Sequence, residues 1–328
     1  MGPVIDVHTH MLSQAYLDLL RQHGGPKYTF RTLPGGGEVI DADGAPFFTL
    51  LPEMFDFPGR IRAMDEARVD VAVVSLTSPN AYLGEPGISL TAARLMNDAF
   101  AEAQAAYPDR IRWYASLPWQ FPDLAVAELA RARAAGAIGV MVIANIDEAS
   151  LTDPLFAPVW AAIDAAALPV LVHPSAPPGV KSMDMAAYGL VPSVGFTFDT
   201  TLAIVRMIAD GFFDRYTRLK IIASHGGGAL PFLAGRLDRC AEQIPVMSRN
   251  MAATPSDYLQ RIYLDAVVYR QNALVMCLDT VGPDKVLYGS DYPHNIGDMR
   301  GCLARVDALP DEVRRRVRGA NAQALFGL

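Results

Sequence analysis

The chain has 328 residues, a formal net charge of −7, 51% apolar residues and 19% charged ones, which excludes a disordered tail, a collagen-like fibre and a small disulfide scaffold. The mild acidity argues against sequence-independent nucleic-acid binding, which needs a basic patch, and three cysteines without a CxxC pair (Cys240, Cys277, Cys302) imply neither a disulfide framework nor a thiolate zinc site. No basic-then-apolar leader precedes Val4 and no uninterrupted apolar run reaches the ~20 residues of a membrane span, so the expectation is a cytoplasmic protein without a membrane partner.

In chain order, the first apolar, β-branched run is Val4–Val7. About fifty residues rich in Gly and Pro follow, in which Lys27–Leu33, Glu38–Ile40 and Ala45–Leu51 read as short antiparallel strands joined by Gly turns. A helix around Arg60–Ala67 leads into the strand-like run Val69–Leu76, the helix Ile88–Ala106, the run Arg110–Leu117 and the helix Asp123–Ala135. Then come Ile138–Ile143, the helix Ala157–Ala167, and the runs Leu168–Val172, Leu219–Ala223, Ile262–Leu264 and Val286–Tyr288, before a closing helix over Asp311–Leu325. Eight buried strands alternating with amphipathic helices predict a (β/α)8 TIM barrel of the α/β class. The expected organisation is one domain over 1–328 with 12–57 as an inserted, β-rich lid, since loops that long are usually functional. No GxGxxG follows the first strand, which lowers the dinucleotide-binding alternative. The basic run Arg314-Arg315-Arg316 with Arg318 reads as a solvated helix face.

Six histidines occur, and their placement is uneven. His8 and His10 share one face of the first strand, because residues i and i+2 of a strand point the same way. His173 follows the fifth run, His225 the sixth and Asp291 the eighth. All five therefore fall at carboxyl ends of strands, where barrel enzymes build their sites. Three neutral imidazoles and a carboxylate suit one borderline divalent ion, zinc first, with manganese or cobalt as alternatives. Such an ion lowers the pKa of bound water toward ~7. The fourth run, Gly139–Asn145, offers no Lys, Glu or Cys to bridge a second ion, so one metal is favoured over two. With four ligands assigned, a fifth polar group is free to move protons, and His225 is the natural choice because imidazole titrates near neutrality. His23 reads as a solvated residue, and His294, three residues past Asp291, as a pocket-rim or substrate-contacting one.

The strings Ile5-Asp6-Val7-His8-Thr9-His10, Leu171-Val172-His173-Pro174, His225-Gly226-Gly227-Gly228 and Tyr288-Gly289-Ser290-Asp291-Tyr292-Pro293, with Arg60–Asp70 and the closing Asn321-Ala322, together resemble the amidohydrolase superfamily. They are most similar to the branch that contains 2-amino-3-carboxymuconate-6-semialdehyde decarboxylase. The resemblance implies zinc held by His8, His10, His173 and Asp291, with His225 activating the metal-bound water without being a ligand. It implies non-oxidative loss of CO2 from a small carboxylic acid, and a homodimer in which Arg236 reaches the carboxylate of the substrate in a neighbouring subunit.

One departure stands out. Where the branch has a substrate-gripping arginine, this chain reads Gly44-Ala45-Pro46-Phe47-Phe48, so two aromatic rings replace a bidentate carboxylate clamp. A more apolar or aromatic acid suits Phe47 and Phe48. Trp119 and, after His173, Met183, Tyr188 and Phe196 are further candidate pocket residues. The intact His8-Thr9-His10 string places the chain nearer the carboxymuconate type than the salicylate- and resorcylate-type enzymes, which usually carry Glu and Ala there. Three readings compete: a metal-dependent carboxy-lyase of a small unsaturated or aromatic carboxylic acid, a mononuclear hydrolase of an amide, lactone or carbon–carbon bond using the same activated water, and a catalytically silent barrel. The ligand set serves the first two equally.

Overall fold

A computed structural model describes residues 2–43 and 45–328; Gly44, in the departing stretch, lies outside the described residues. The barrel strands are β1 (Ile5–His10), β2 (Val71–Ser75), β3 (Ile111–Ala115), β4 (Gly139–Ile143), β5 (Pro169–His173), β6 (Lys220–Ala223), β7 (Tyr263–Asp265) and β8 (Val286–Leu287). They pair in sequential order, all in parallel. The ends of the sheet meet as well: the Val7 amide donates to the Tyr288 carbonyl at 3.0 Å and the His10 amide to the Tyr292 carbonyl at 2.8 Å. The expected barrel is therefore present, and seven of its eight strands fall within two residues of the run that predicted them, β1 alone running three residues further, to His10.

The strands read as near-continuous Val/Ile/Leu runs because both faces are covered. β1, β4 and β5 are buried at every position, and the helices Pro86–Ala106, Pro122–Ala134 and Ala157–Ala166 supply the outer layer. The core they enclose includes the fully buried Trp113, Trp119 and Trp160. Trp119 stacks on Trp160 with ring centroids 4.7 Å apart, so it belongs to this core and lines no described pocket, contrary to its reading as a ligand contact. Its large flat ring met the need for volume between helices, which sequence alone does not separate from a binding role.

The insertion after β1 holds a helix, Gln14–His23, capped by the Ser13 hydroxyl, and then a three-stranded antiparallel sheet of Tyr28–Thr32, Glu38–Ala42 and Ala45–Leu50. The turn between the first two strands runs through Gly35, Gly36 and Gly37 at φ of 101°, 88° and 91°, backbone angles that side chains with a Cβ rarely tolerate. After β5 the chain makes the short turns Ala187–Gly189 and Val191–Gly195 and enters the helix Phe196–Ala209. Ala187–Ala209 is, among the described residues, the one helical run long and apolar enough to cross a membrane by length and composition. It carries Asp199 and Arg206, and Asp199 is buried against Asn145 beside the barrel mouth.

The closing helix differs from its expectation. It runs as Asp311–Arg315, a π-helical turn over Arg316–Ala320, and Asn321–Phe326. Gly319 in that turn sits where any Cβ would collide with the Pro3 carbonyl, so the irregular turn lets the chain press against the strand that starts the barrel. Of the arginine run expected as a solvated face only Arg315 is exposed, and Arg314, Arg316 and Arg318 are half-buried, because all four are drawn into pairs: Arg314 with Asp311, Arg315 with Glu312, Arg316 with Asp284 and Glu312, and Arg318 with Asp307.

Candidate active site

The carboxyl end of β1 is fixed before any functional atom is considered. Asp6, wholly buried, accepts from the Ser290 hydroxyl at 2.5 Å, the Ser290 amide at 3.1 Å and the His8 amide at 3.2 Å, tying β1 to the segment after β8. Burial pushes its carboxyl up to about 6 against those bonds. Arg60, also fully buried, donates to the Thr9 hydroxyl at 2.7 Å and the His10 carbonyl at 2.5 Å and lies over the Tyr292 ring. A guanidinium under the strand thus clamps the backbone that carries both histidines.

On this frame His8, His10, His173 and Asp291 converge. All four are buried, and one ligand atom from each falls within 4.8 Å of the others. Each imidazole is oriented from behind. His8 Nδ1 bonds Asp265 Oδ2 at 2.6 Å, His10 Nδ1 meets the Ser75 hydroxyl at 3.0 Å, and His173 Nδ1 meets the Pro174 carbonyl at 3.0 Å. That leaves the Nε2 atoms directed inward, and those of His8 and His173 are buried with no hydrogen-bond partner. His8 Nε2 and His10 Nε2 stand 3.3 and 3.2 Å from Asp291 Oδ1. Buried nitrogens without partners, each backed at the opposite ring atom, are what a divalent cation completes.

The electrostatics agree. Burial opposes charge on Asp291, but the imidazoles of His294, His10, His225 and His8 hold its carboxyl well below the usual range, so it is ionised. Burial drives His10 down to about 3, and burial with its imidazole neighbours drives His173 well below 6.5, so both are neutral donors. His8 goes the other way: Asp265 and Asp291 outweigh burial and lift it to about 10. To serve as a ligand His8 would have to give up this proton, which would make affinity for a cation here pH-dependent.

His225 stands apart from the four. Its Nε2 lies 3.5 Å from Asp291 Oδ2, and its Nδ1 is buried without a partner. Its backbone is left-handed, φ 54° and ψ 49°, and Asp291 shares that region at φ 59°. Such conformations are costly outside glycine and persist where surroundings impose them. At His225 the conformation is imposed by Asp265, which accepts from the His225 and Gly226 amides, both at 3.0 Å. Gly226 permits the turn, since a Cβ there would fall 2.6 Å from Val268 Cγ1.

Asp265 is the residue that sequence reading missed. It ends β7, is fully buried and links His8 to His225 through one carboxylate. The signal was present, because a carboxylate directly after the run Ile262–Leu264 satisfies the same strand-end rule that selected Asp291.

The mouth above this floor is a cavity of about 190 Å³ lined by His173, His225, Asp291 and His294 on one side and by Phe47, Phe48, Pro192, Phe196 and Ile296 on the other. His294 Nε2 meets the Thr77 hydroxyl at 3.1 Å, and its ring sits edge-on to Phe48, 5.1 Å away. Phe196 joins the wall as anticipated. Tyr188 and Met183 do not, being 98% and 44% exposed and away from the cavity. Arg236 is exposed on the helix Leu230–Gln243 and does not line the cavity of its own chain. His23, at the end of its helix, is half-buried and remote from the cluster.

Comparison with known proteins places this geometry. The Amidohydrolase family model matches residues 5–328. The chain is similar to 2-amino-3-carboxymuconate-6-semialdehyde decarboxylase of Dictyostelium discoideum, 28% identical, with 99% of this chain and 91% of that one covered. It is likewise similar to gamma-resorcylate decarboxylase of a Polaromonas species, 28% identical over 94% of this chain and 98% of that one. Among solved structures, a 5-carboxyvanillate decarboxylase of Novosphingobium aromaticivorans with bound manganese and 3-methoxy-4-hydroxy-5-nitrobenzoic acid aligns with a TM-score of 0.84 at 25% identity, over 99% of this chain and 97% of that one.

Proposed function

The chain belongs to the amidohydrolase family, and we propose that it is a metal-dependent, non-oxidative decarboxylase of a small aromatic carboxylic acid. The observation that carries this reading is one pocket with two unlike halves: four converging ligand atoms with His225 beside them, facing a wall of Phe47, Phe48 and Phe196. A flat apolar ring fits the wall while its carboxylate faces the floor.

His8, His10, His173 and Asp291 would hold one divalent cation; zinc suits three imidazoles and a carboxylate, with manganese and cobalt as alternatives. When bound, such an ion supplies Lewis acidity toward a carboxylate and lowers the pKa of water. The remaining work falls to the protein. Phe48 and Phe196 hold the ring and exclude water, and His294, positioned by Thr77, offers a ring nitrogen to a substituent beside the carboxylate. His225 holds the proton at Nε2 and delivers it to the ring carbon bearing the carboxylate, a ring π pair forming the new C–H bond. The bond to the carboxylate then breaks, its electron pair restores the aromatic ring, and CO2 leaves, so hydrogen has replaced the carboxylate. The antiparallel sheet of the insertion acts as the lid.

The test is CO2 release from a panel of hydroxybenzoates by the metal-loaded protein, abolished by chelation and restored by metal. A new acid, amine or alcohol formed from amides or lactones, without gas from any acid, turns the assignment to hydrolysis.

We further infer a homodimer. The helix Leu230–Gln243 fully buries only Leu230, and Phe232, Val246 and Ile244 beside it are 78%, 60% and 44% exposed, a patch of the kind that marks protein–protein contact. Arg236 rides on that helix and would serve the partner's pocket. Light scattering at the mass of one chain, or Arg236→Ala with unchanged KM, overturns it.

A further inference from the structure

The catalytic cavity has a larger neighbour. A second cavity of about 610 Å³ lies at the barrel mouth between the inserted sheet, the loop after β4 and the loop after β5, with Tyr28, Tyr82, Asn145 and Ser175 in its lining. Among the described residues, Phe47 alone lines both cavities. Its ring is held between Tyr28 on the outer side and Phe196 on the inner side, centroids 6.4 Å away in each case and edge-on to Phe196. The two spaces also differ in chemistry. Above the ligand cluster the inner cavity is lined by apolar and aromatic side chains and by uncharged polar ones such as Thr77 and Asn295, with no Lys, Arg or Glu and Asp291 as its one carboxylate. The outer one carries four carboxylates, Asp43, Asp147, Glu148 and Asp184, against two ammonium groups, Lys27 and Lys181. Lys27 is already paired with Asp147 and Lys181 lies 3.9 Å from Asp43, so the uncompensated charge there is negative. Tyr82, almost fully buried, closes the inner end of this lining.

We propose that Phe47 is the specificity-determining partition of this site. Its ring ends the inner cavity and limits the substrate to a compact acid. Behind it lies an unused subsite that accepts a neutral extension of the ring and rejects an anionic one. The inference rests on the pocket assignment made under Proposed function and adds to it which residue sets the size limit and what chemistry lies beyond. A ligand anchored by its carboxylate at the floor points its far edge at Phe47. Forcing a larger group against a packed ring costs about 1–3 kcal/mol, or roughly 5- to 150-fold in binding. Removing the ring joins 610 Å³ of space to 190 Å³ and removes that penalty. An added carboxylate gains nothing, because it enters a region of like charge.

The experiment uses nitrophenols, in which a nitro group takes the shape of the carboxylate and cannot leave, so binding is read by absorbance without turnover. The metal-loaded wild type, Phe47→Ala and Phe47→Leu are titrated with 2-nitrophenol, 5-phenyl-2-nitrophenol and 5-(4-carboxyphenyl)-2-nitrophenol. The wild type is expected to prefer 2-nitrophenol over the phenyl derivative by about 5- to 150-fold. In Phe47→Ala that preference shrinks to within about threefold, Phe47→Leu falls between, and the carboxyphenyl derivative stays as weak as in the wild type. Equal preference in all three proteins, with decarboxylation by the wild type intact, overturns the partition alone. A gain for the carboxyphenyl probe equal to that for the phenyl probe overturns the charge assignment of the outer subsite. Failure of every probe to bind the wild type removes the pocket assignment and the partition together.

Discussion

At the floor of the pocket each functional side chain has a second group behind it. Asp265 backs His8, Ser75 backs His10, the Pro174 carbonyl backs His173, and Asp265 again fixes the strained backbone of His225. At the wall, Phe47 and Phe48 are placed by a three-stranded sheet and touch other rings by their edges. The floor is polar, buried and over-determined, whereas the wall is apolar and held by packing alone. Directional bonds locate an atom to a few tenths of an ångström, as proton transfer and metal coordination require. Apolar contacts have no preferred direction, so a wall made of them can change its shape without disturbing the chemistry beneath it. On the function proposed above, reactivity and selectivity would fall to two regions with separate tolerances.

The sharpest way to break this division is at the floor. Asp291→Asn removes the charged ligand, and the expected result is loss of bound metal by elemental analysis with CO2 release at background. His225→Asn should lower kcat by about 10²–10⁴-fold while metal content stays at the wild-type level; turnover within threefold of wild type would remove His225 from proton transfer. Asp265→Asn leaves all four candidate ligands in place but withdraws the charge behind His8, and metal affinity in a chelator competition is expected to fall about 10–100-fold. An unchanged affinity would show that the floor does not depend on its backing groups.

Where the floor meets the wall the effects are smaller. His294→Ala should raise KM by about two- to tenfold with kcat changed less, the worth of one hydrogen bond. Away from both regions, Asp199 gives the smallest effect. Burial lifts its carboxyl from 3.8 to about 7, against bonds from the Ser175 amide and the Asn145 side chain. The folded protein therefore holds this proton more tightly than the unfolded chain. The resulting stability is complete below about pH 4 and is lost as pH rises through about 7. Tm measured from pH 4 to 8 is expected to decline less steeply in Asp199→Asn than in the wild type; parallel curves would refute the assignment.

Much of this was legible in the chain itself. Period-two and period-3.6 patterns are local, and a strand buried on both faces must be apolar throughout, so the eight strands and their order followed from residues alone. His8, His10, His173 and Asp291 could be grouped because a parallel barrel places all strand ends at one mouth. Asp265 escaped notice although the same rule covers it. One carboxylate after a strand looks like any other until its partners, His8 and the His225 amide, 257 and 40 residues away, are brought to it. Trp119 shows the reverse error, since an aromatic ring has the same spelling in a core as in a pocket.

The sequence by itself determined the barrel and the identity of the four side chains that converge at its mouth, because hydrophobic period and strand-end position are properties of short stretches. Only the tertiary structure decided which nitrogen of each imidazole faces inward, that one aspartate holds two histidines, and that Phe47 stands between two cavities of unlike charge. Each of those facts depends on groups far apart in the chain meeting at hydrogen-bond or van der Waals distance, and no local pattern encodes such a meeting.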